Sequence, residues 1–336
     1  MSPNSRSGHE RSGARVPSQG GRPAGEVFVL GLPPRATRAR RAHLRIWLMA
    51  ARPRTLPAAI APVLVGTAAA VYWAGELPRI GAFVAALVGS IFIQIGTNLA
   101  NDYSDARRGA DTADRLGPVR VTSAGLVTPQ RVLNATWIAF AVAVACGIYL
   151  AAVAGIVILL VGAVSIAAGV LYTGGPRPYG YAGLGEVFVF LFFGLVAVNG
   201  SYYVQVEELD ALPLGLSIAV GFLSTAILVV NNVRDIETDR RAGKMTLAVR
   251  MGRRNAVGLF RGLVLGAYLV LPISLVAGEA SAWPLIAFAS LPLAVGPMRT
   301  MSNRTDGPAL NAALAATGLL LAVFSLLVSI GLLVAA

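Results

Sequence analysis

Long apolar segments alternate with short polar ones along most of this chain. At about 1.5 Å per residue, each apolar run is long enough as an α-helix to cross a hydrocarbon core of about 30 Å. The pattern therefore predicts an all-α integral membrane protein with about nine transmembrane helices. The runs begin near residues 44, 80, 130, 155, 184, 211, 255, 281 and 308.

Residues 1–43 differ from the rest of the chain. They are rich in Ser, Gly, Pro and Arg, and their apolar stretch Val27–Leu32 is too short for the core of a signal peptide. We expect a disordered basic tail on the cytoplasmic side, followed by one multi-pass domain over residues 44–336. The tail could contact anionic lipid. The alternatives are a tail without a function and a true start at Met49.

Composition and charge support a membrane protein. Hydrophobic residues make up 56% of the chain and charged residues 13%, against about 25% charged residues in soluble domains. The net charge of +12 would suggest nucleic-acid binding in a soluble protein, but here every Lys and Arg except Arg79 falls on one side of the predicted bundle. The positive-inside rule then places the N-terminus and this side in the cytoplasm and the C-terminus outside. We expect a cell-membrane protein without a nucleic-acid partner.

Two short acidic motifs lie at the ends of apolar runs, over residues 98–105 and 231–239. In each motif an asparagine precedes an aspartate by four residues, which places both side chains on one helical face. Four spans separate the motifs, and this even number puts them on the same face of the membrane, as a parallel internal repeat requires. A carboxylate at the centre of a membrane span costs about 2.5–3.5 kcal/mol, so a cation must compensate for such a cluster.

The aspartates of the motifs are spaced so that they can share a cation. Asp102 and Asp105, at i and i+3, lie on one helical face, and so do Asp235 and Asp239, at i and i+4. Mg²⁺ commonly takes one or two carboxylates together with substrate phosphates. We predict that these four aspartates bind Mg²⁺, with two ions bridging one diphosphate. The alternative is that each aspartate caps a helix or pairs with a neighbouring arginine.

Further polar residues near the motifs are candidates for substrate binding. Asn98 and Asn231 are expected to orient the site through neutral oxygens or hydrogen bonds. Lys244 is the only lysine of the chain and follows the second motif by five residues, which suits a phosphate contact. Arg120 and Arg234 are also candidates for phosphate contact. For Lys244 and both arginines, the alternative is a topological role under the positive-inside rule.

At these motifs the chain closely resembles the UbiA superfamily of intramembrane prenyltransferases, over about residues 45–335. Within the superfamily it is most similar to the polyprenyltransferases that act on 1,4-dihydroxy-2-naphthoate in menaquinone synthesis. Four stretches carry this narrower likeness, namely residues 51–57, 101–111, 172–186 and 232–247. The resemblance implies a helical bundle around a central cavity and magnesium-dependent transfer of a polyprenyl group from polyprenyl diphosphate to this aromatic acid. Loss of carbon dioxide would give demethylmenaquinone.

The resemblance also implies roles for single residues. Lys244 would assist magnesium as the diphosphate leaves. Tyr172 would stabilise the allyl cation through its aromatic face, or would alternatively anchor a helix at the membrane interface. Arg54 would pair with the carboxylate of the acceptor. Gly109 stands where many relatives that prenylate 4-hydroxybenzoate or haem have a third aspartate, and the acid comes later, at Asp111, which is a further candidate for substrate binding.

Two rival functions remain open at the level of the sequence. One is a prenyltransferase of the same superfamily that acts on another aromatic acceptor or on a phosphosugar. The other is a secondary transporter, although transporters place such carboxylates near the middle of the membrane in broken helices. The two motifs lie at helix ends instead.

Overall fold

A computed structural model describes residues 44–109, 116–117 and 119–336 of the chain. The predicted tail over residues 1–43 and the candidate Asp111 lie outside the described residues. The described part is helical and contains no strand, which confirms the predicted all-α class. A short helix over residues 44–51 and a 3₁₀ turn at Pro53–Thr55 lead into the bundle.

Nine long helices make up the bundle within the described part of the chain. They are α1 (Pro57–Ala74), α2 (Ile80–Arg107), α3 (Pro129–Ala154), α4 (Val157–Leu171), α5 (Gly185–Val206), α6 (Ala211–Arg234), α7 (Leu247–Ala277), α8 (Trp283–Asn303) and α9 (Gly307–Ala335). A further short helix, Ile236–Arg241, follows α6.

The helices begin at residues that favour helix N-termini. Pro57 and Pro129 occupy the first turns of α1 and α3, where the missing N–H of proline leaves no donor unpaired. Asp210, Thr246 and Asp306 cap α6, α7 and α9, because their side-chain oxygens accept hydrogen bonds from backbone N–H groups of the first turn. Local sequence therefore sets where these spans start.

Eight of the nine helices are long and apolar enough to cross a membrane, and α4 is the exception. It has 15 residues, about 22 Å at 1.5 Å per residue, because Gly155 ends α3 with φ 94° and the Gly174-Gly175 pair follows the end of α4. Nevertheless α4 carries the chain across the bundle, since Tyr181 beyond α4 lies 2.6 Å from Asp105 at the end of α2. The nine helices therefore alternate in direction, as the sequence predicted.

Arg79, the one basic residue that the charge pattern assigned to the far side of the membrane, lies at the end of the bundle opposite to Asp105. The backbone N–H of Arg79 donates to Gln205 over 2.9 Å, and the Arg79 guanidinium pairs with Glu207. The ends of α1 and α5 and the start of α2 thus meet there. Placement of this end outside the cell stays a prediction from the arginine distribution.

Packing differs between the two sides of the bundle. The largest buried cluster of apolar side chains comes mainly from α1, α6, α7 and α9. Small residues bring helices close together there, since a Cβ at Gly66 of α1 would lie 2.2 Å from the carbonyl oxygen of Val198 of α5. On the other side, α1 to α6 enclose a cavity.

Candidate active site

The cavity has a volume of about 380 Å³, a polar end, and a longer apolar part. The cavity extends far along α2, since Asp105 and Ala85 both line it and are separated by about 30 Å of helix. Eight of the twelve candidate site residues line the cavity, and they are Asn98, Asp105, Arg120, Tyr172, Asn231, Asp235, Asp239 and Lys244. Asp102, Arg54 and Arg234 do not.

At the polar end of the cavity, three side chains contact the carboxylate of Asp105. Its carboxylate is 1% exposed, and burial of a charge is costly without partners. Oδ2 accepts from Arg120 over 2.9 Å and lies 3.2 Å from the Lys244 ammonium, while Oδ1 accepts from the Tyr181 hydroxyl over 2.6 Å. This one carboxylate therefore links α2 to the three loops that carry Arg120, Tyr181 and Lys244, and it holds the two cationic side chains at the cavity wall.

Lys244 is held in place by the turn that precedes it. The short helix Ile236–Arg241 is followed two residues later by Gly243 with φ 73°, a left-handed conformation that glycine adopts without strain. The chain then returns so that the Lys244 N–H donates to the carbonyl of Asp239 over 2.8 Å. The ammonium lies 4.8 Å from the centroid of the Tyr181 ring, within the range of a cation–π contact.

Asp102 is in a different environment from Asp105. Its two oxygens accept hydrogen bonds from the backbone N–H groups of Val121 and Thr122, each over 3.0 Å, and the residue is 2% exposed. Asp102 therefore anchors the segment that carries Arg120. The i and i+3 spacing predicted that both carboxylates face one metal, and the structure separates them; a metal contact of Asp102 stays a prediction.

The second motif contains an ion pair between neighbours in the sequence. Both oxygens of buried Asp235 accept from the guanidinium of Arg234, over 2.8 and 2.5 Å. Arg234 also donates to the side-chain oxygens of Asn231 and Asn311, over 2.9 and 2.7 Å. Arg234 therefore orients Asp235 and Asn231 from behind the cavity, while the half-buried Asp239 lines the cavity directly.

Three of the four candidate metal ligands, Asp105, Asp235 and Asp239, line the cavity. Among the described residues, no three acidic, histidine or cysteine side chains converge into a ready-made metal cluster. Cationic side chains neutralise the carboxylates of Asp105 and Asp235 instead. The carboxylates of Asp105, Asp235 and Asp239 form a set of oxygen ligands, and neutral asparagine amides line the cavity beside them. This set fits Mg²⁺, which prefers few carboxylates and completes its shell with water and phosphate.

The segment before α1 contributes Arg52 to the cavity, whereas the sequence had indicated Arg54. Asn98 donates to the carbonyl of Ala51 and to the hydroxyl of Thr55, over 3.0 and 3.1 Å, and so fixes this segment. Arg54 is exposed, whereas Arg52 lines the cavity with φ 54° and ψ 69°. A non-glycine residue in this left-handed region costs about 1–2 kcal/mol, and such strain is concentrated at functional sites.

Aromatic rings form one wall of the cavity. The rings of Tyr172 and Tyr179 meet edge to face at 5.5 Å, and Tyr179 stacks on Phe188 at 3.9 Å. Just beyond Phe188, α5 continues as a π-helix over Phe190–Val196, a wide turn often found at functional sites. Burial raises the pKa of Tyr172 and of Tyr179, and for Tyr172 the nearby Glu186 carboxylate adds to the effect. Both phenols are therefore neutral.

Among the polar residues that line the cavity, sequence reasoning missed Arg52, Asn101 and Tyr181. Asn101 accepts from the hydroxyl of Thr173 over 2.9 Å and so ties α2 to the loop after α4. Asn101 lies within the first motif, but the i and i+4 rule selected Asn98. Tyr181 lies in a glycine-rich loop without a periodic pattern, so no sequence signal marked it.

Comparisons with known proteins agree on one family. The model of the UbiA prenyltransferase family matches residues 59–320. A 1,4-dihydroxy-2-naphthoate octaprenyltransferase of Mycobacterium tuberculosis is 42% identical over 289 residues, which cover 84% of this chain and 95% of that protein. The protein of the same name from Escherichia coli K12 is 39% identical over 266 residues, covering 77% and 86% of the two chains.

A solved structure shares the fold. The UbiA homolog from Archaeoglobus fulgidus, bound to GPP and Mg²⁺, superposes with a TM-score of 0.59 at 17% identity. The superposition covers 84% of this chain and 99% of that one. At this identity the likeness concerns the arrangement of the helices.

Proposed function

Because the chain belongs to the UbiA prenyltransferase family, we propose that it transfers a polyprenyl group from polyprenyl diphosphate to 1,4-dihydroxy-2-naphthoate, with loss of the carboxyl group. One observation carries the proposal: Arg120, Lys244 and three aspartates line a cavity whose remainder is mainly apolar. This arrangement suits a substrate with a charged head and a long hydrocarbon tail. The names of relatives at about 40% identity support the acceptor.

The diphosphate would bind at the polar end. Arg120 and Lys244 already share a carboxylate oxygen of Asp105, so an incoming diphosphate offers them a second anion of higher charge. Magnesium held by Asp105, Asp235 and Asp239 would neutralise the charge that develops on the departing diphosphate. These carboxylates come from two separate motifs, so we propose one ion on each.

The allylic end of the prenyl group would lie against the aromatic wall. Ring faces stabilise a developing positive charge, and Tyr172, as a neutral phenol, does not attack it as an anion. The apolar part of the cavity would hold the first isoprene units and exclude water, which would otherwise capture the cation. The rest of a long tail would extend into lipid.

The acceptor would enter with its carboxylate towards Arg52. A new carbon–carbon bond would form at the ring carbon that bears the carboxylate. The electrons of the bond to the carboxylate would then return to the ring as carbon dioxide leaves, which restores aromaticity. The driving force for this step comes from the acceptor itself, and the protein contributes by holding the acceptor in the reactive position.

The full chain in proteoliposomes tests the proposal directly. With Mg²⁺, a polyprenyl diphosphate and equimolar 1,4-dihydroxy-2-naphthoate, 4-hydroxybenzoate and glycerol 1-phosphate, mass spectrometry should show the decarboxylated prenyl naphthoquinol as the main product. Chelation of the metal should stop its formation. A product that keeps the carboxylate, or a preference for another acceptor, would contradict the acceptor; absence of any prenylated product would contradict the transferase.

Arg52 and Arg54 provide a matched pair for the acceptor site. We expect Arg52→Gln to raise the KM for the naphthoate by about 10- to 100-fold, the loss of one charged hydrogen bond. Arg54→Gln should change it less than about twofold, because Arg54 is exposed outside the cavity. Steady-state kinetics at saturating prenyl diphosphate measure both. Equal effects would contradict the selection of Arg52, and a larger effect of Arg54→Gln would assign the carboxylate contact to Arg54.

A further inference from the structure

A second, cationic cavity lies between α7 and α8 and is separate from the active site. It has a volume of about 780 Å³ and is lined by Arg253, Arg254, Asn255, Val257, Gly258, Arg261 and Ser302. We call it the α7 groove. It lies at the same end of the bundle as the active-site loops, since it adjoins the start of α7 and the end of α8.

A break in α7 shapes the α7 groove. Gly252 has φ 76° and ψ 162°, so the helix stops and restarts at Arg253. The first turn of the restarted helix presents the positive end of its dipole. Two side chains span the groove to α8: Arg253 donates to the carbonyl of Met301 over 2.9 Å, and Arg261 donates to the Ser302 hydroxyl over 2.5 Å.

Three arginines give the α7 groove a positive charge. Among the residues that the structure describes, its lining includes no acidic side chain. Within the described part of the chain, none of the three arginines forms an ion pair with a carboxylate. Guanidinium groups bind phosphate oxygens through paired N–H donors, so the complementary ligand is an anion with phosphate chemistry.

An apolar face continues from the groove along α7. Leu265, Leu269 and Ile273 follow Arg261 at steps of four residues and are 51%, 67% and 65% exposed. In a membrane protein such a face contacts lipid tails. A ligand that fills both the groove and this face has a phosphate head and apolar chains. We propose that the α7 groove binds the phosphodiester headgroup of an anionic phospholipid, with its acyl chains along this face.

Two glycines of α7 allow a test that leaves the charge unchanged. Gly258 lines the groove and Gly262, one turn later, does not, and a Cβ at either position meets no atom within 4 Å. Gly258→Leu should therefore fill the groove without disturbing the fold, and Gly262→Leu is the matched control. A leucine in place of glycine also favours the helix.

The measurement is lipid retention by the full chain in mixed micelles with equimolar phosphatidylglycerol and phosphatidylcholine, read by native mass spectrometry. The natural protein and Gly262→Leu should retain about tenfold more phosphatidylglycerol than phosphatidylcholine, since each arginine near an anionic headgroup favours it several-fold. Gly258→Leu should lower this ratio to about one. An equal ratio for the two variants, or no preference in the natural protein, would overturn the proposal.

A charge test and a phosphate test complete the experiment. Arg254→Gln with Arg261→Gln should also abolish the preference, while Arg45→Gln with Arg131→Gln, exposed residues outside the groove, should keep it. Phosphatidylglycerol should raise the melting temperature of the natural protein, because a ligand of the folded state stabilises it. If inorganic phosphate raises it equally in the natural protein and not in Gly258→Leu, the groove binds free phosphate and the lipid assignment fails.

Discussion

Asp105→Asn will lower prenyl transfer by about a thousandfold while the protein stays folded in the membrane. Asparagine keeps the shape of the side chain but removes the charge that Arg120, Lys244 and Tyr181 share. It also removes a proposed metal ligand. A loss of about 4 kcal/mol of transition-state stabilisation corresponds to this factor, at 1.36 kcal/mol per tenfold. Turnover in proteoliposomes and thermal unfolding of the purified variant measure activity and fold separately.

Asp102→Asn is the matched comparison for Asp105→Asn, because both aspartates lie in the first motif, three residues apart. Its oxygens accept from backbone N–H groups that position the Arg120 segment, so the variant should lose about 10- to 100-fold in kcat/KM through one lost charged hydrogen bond and a displaced arginine. The magnesium concentration for half-maximal activity should shift in Asp105→Asn and not in Asp102→Asn. An equal shift in both would support the sequence prediction that both carboxylates bind metal. Near-normal turnover of Asp105→Asn would contradict the proposed site.

Lys244→Gln will lower kcat/KM for the prenyl diphosphate by about a hundredfold. Lys244 is 8% exposed, and its ammonium lies beside Asp105 and above the Tyr181 ring, so its charge acts in a site that water screens poorly. Loss of about 2.7 kcal/mol of charge stabilisation gives this factor. The KM for the naphthoate should change little, because Lys244 is proposed to contact the other substrate.

Arg240→Gln controls for the basic character of the same loop. Arg240 is exposed and pairs with exposed Glu237 over 3.0 Å, a contact that contributes little in water. We expect less than a twofold change in both kinetic constants. If Arg240→Gln and Lys244→Gln have similar effects, the loop acts through its overall charge, and Lys244 has the topological role that the positive-inside rule allows.

The short α4 shows how tertiary contacts settle a question of topology. By length alone α4 does not qualify as a membrane span, and eight crossings between Pro57 and Ala335 would place the loop around Tyr181 at the far end of the bundle. The hydrogen bond from Tyr181 to Asp105 is possible only if α4 crosses. The even number of spans between the two acidic motifs follows from it.

The sequence by itself determined the helical class, the approximate positions of all the spans but the first, and the end of the bundle at which the chemistry lies. The first span was predicted to begin near residue 44 and begins at Pro57, because a short helix over residues 44–51 and a 3₁₀ turn precede it. Apolar runs longer than a membrane is thick have few alternatives to helices, because backbone groups in lipid must pair within their own segment. Charged residues are costly inside the membrane, so the aspartates had to fall at helix ends. These conclusions depend on composition and spacing, and both can be read along the chain.

Only the tertiary structure decided which of several similar side chains face the cavity. Asp102 and Asp105 lie about 60° apart on a helix, as three steps of about 100° imply. That angle suffices to direct one towards the loop at Val121 and Thr122 and the other towards the cavity. Likewise, the left-handed turn at Arg52 selects it over Arg54. Helical periodicity defines a broad face of each helix, and the loops that pack against that face determine where each side chain lies.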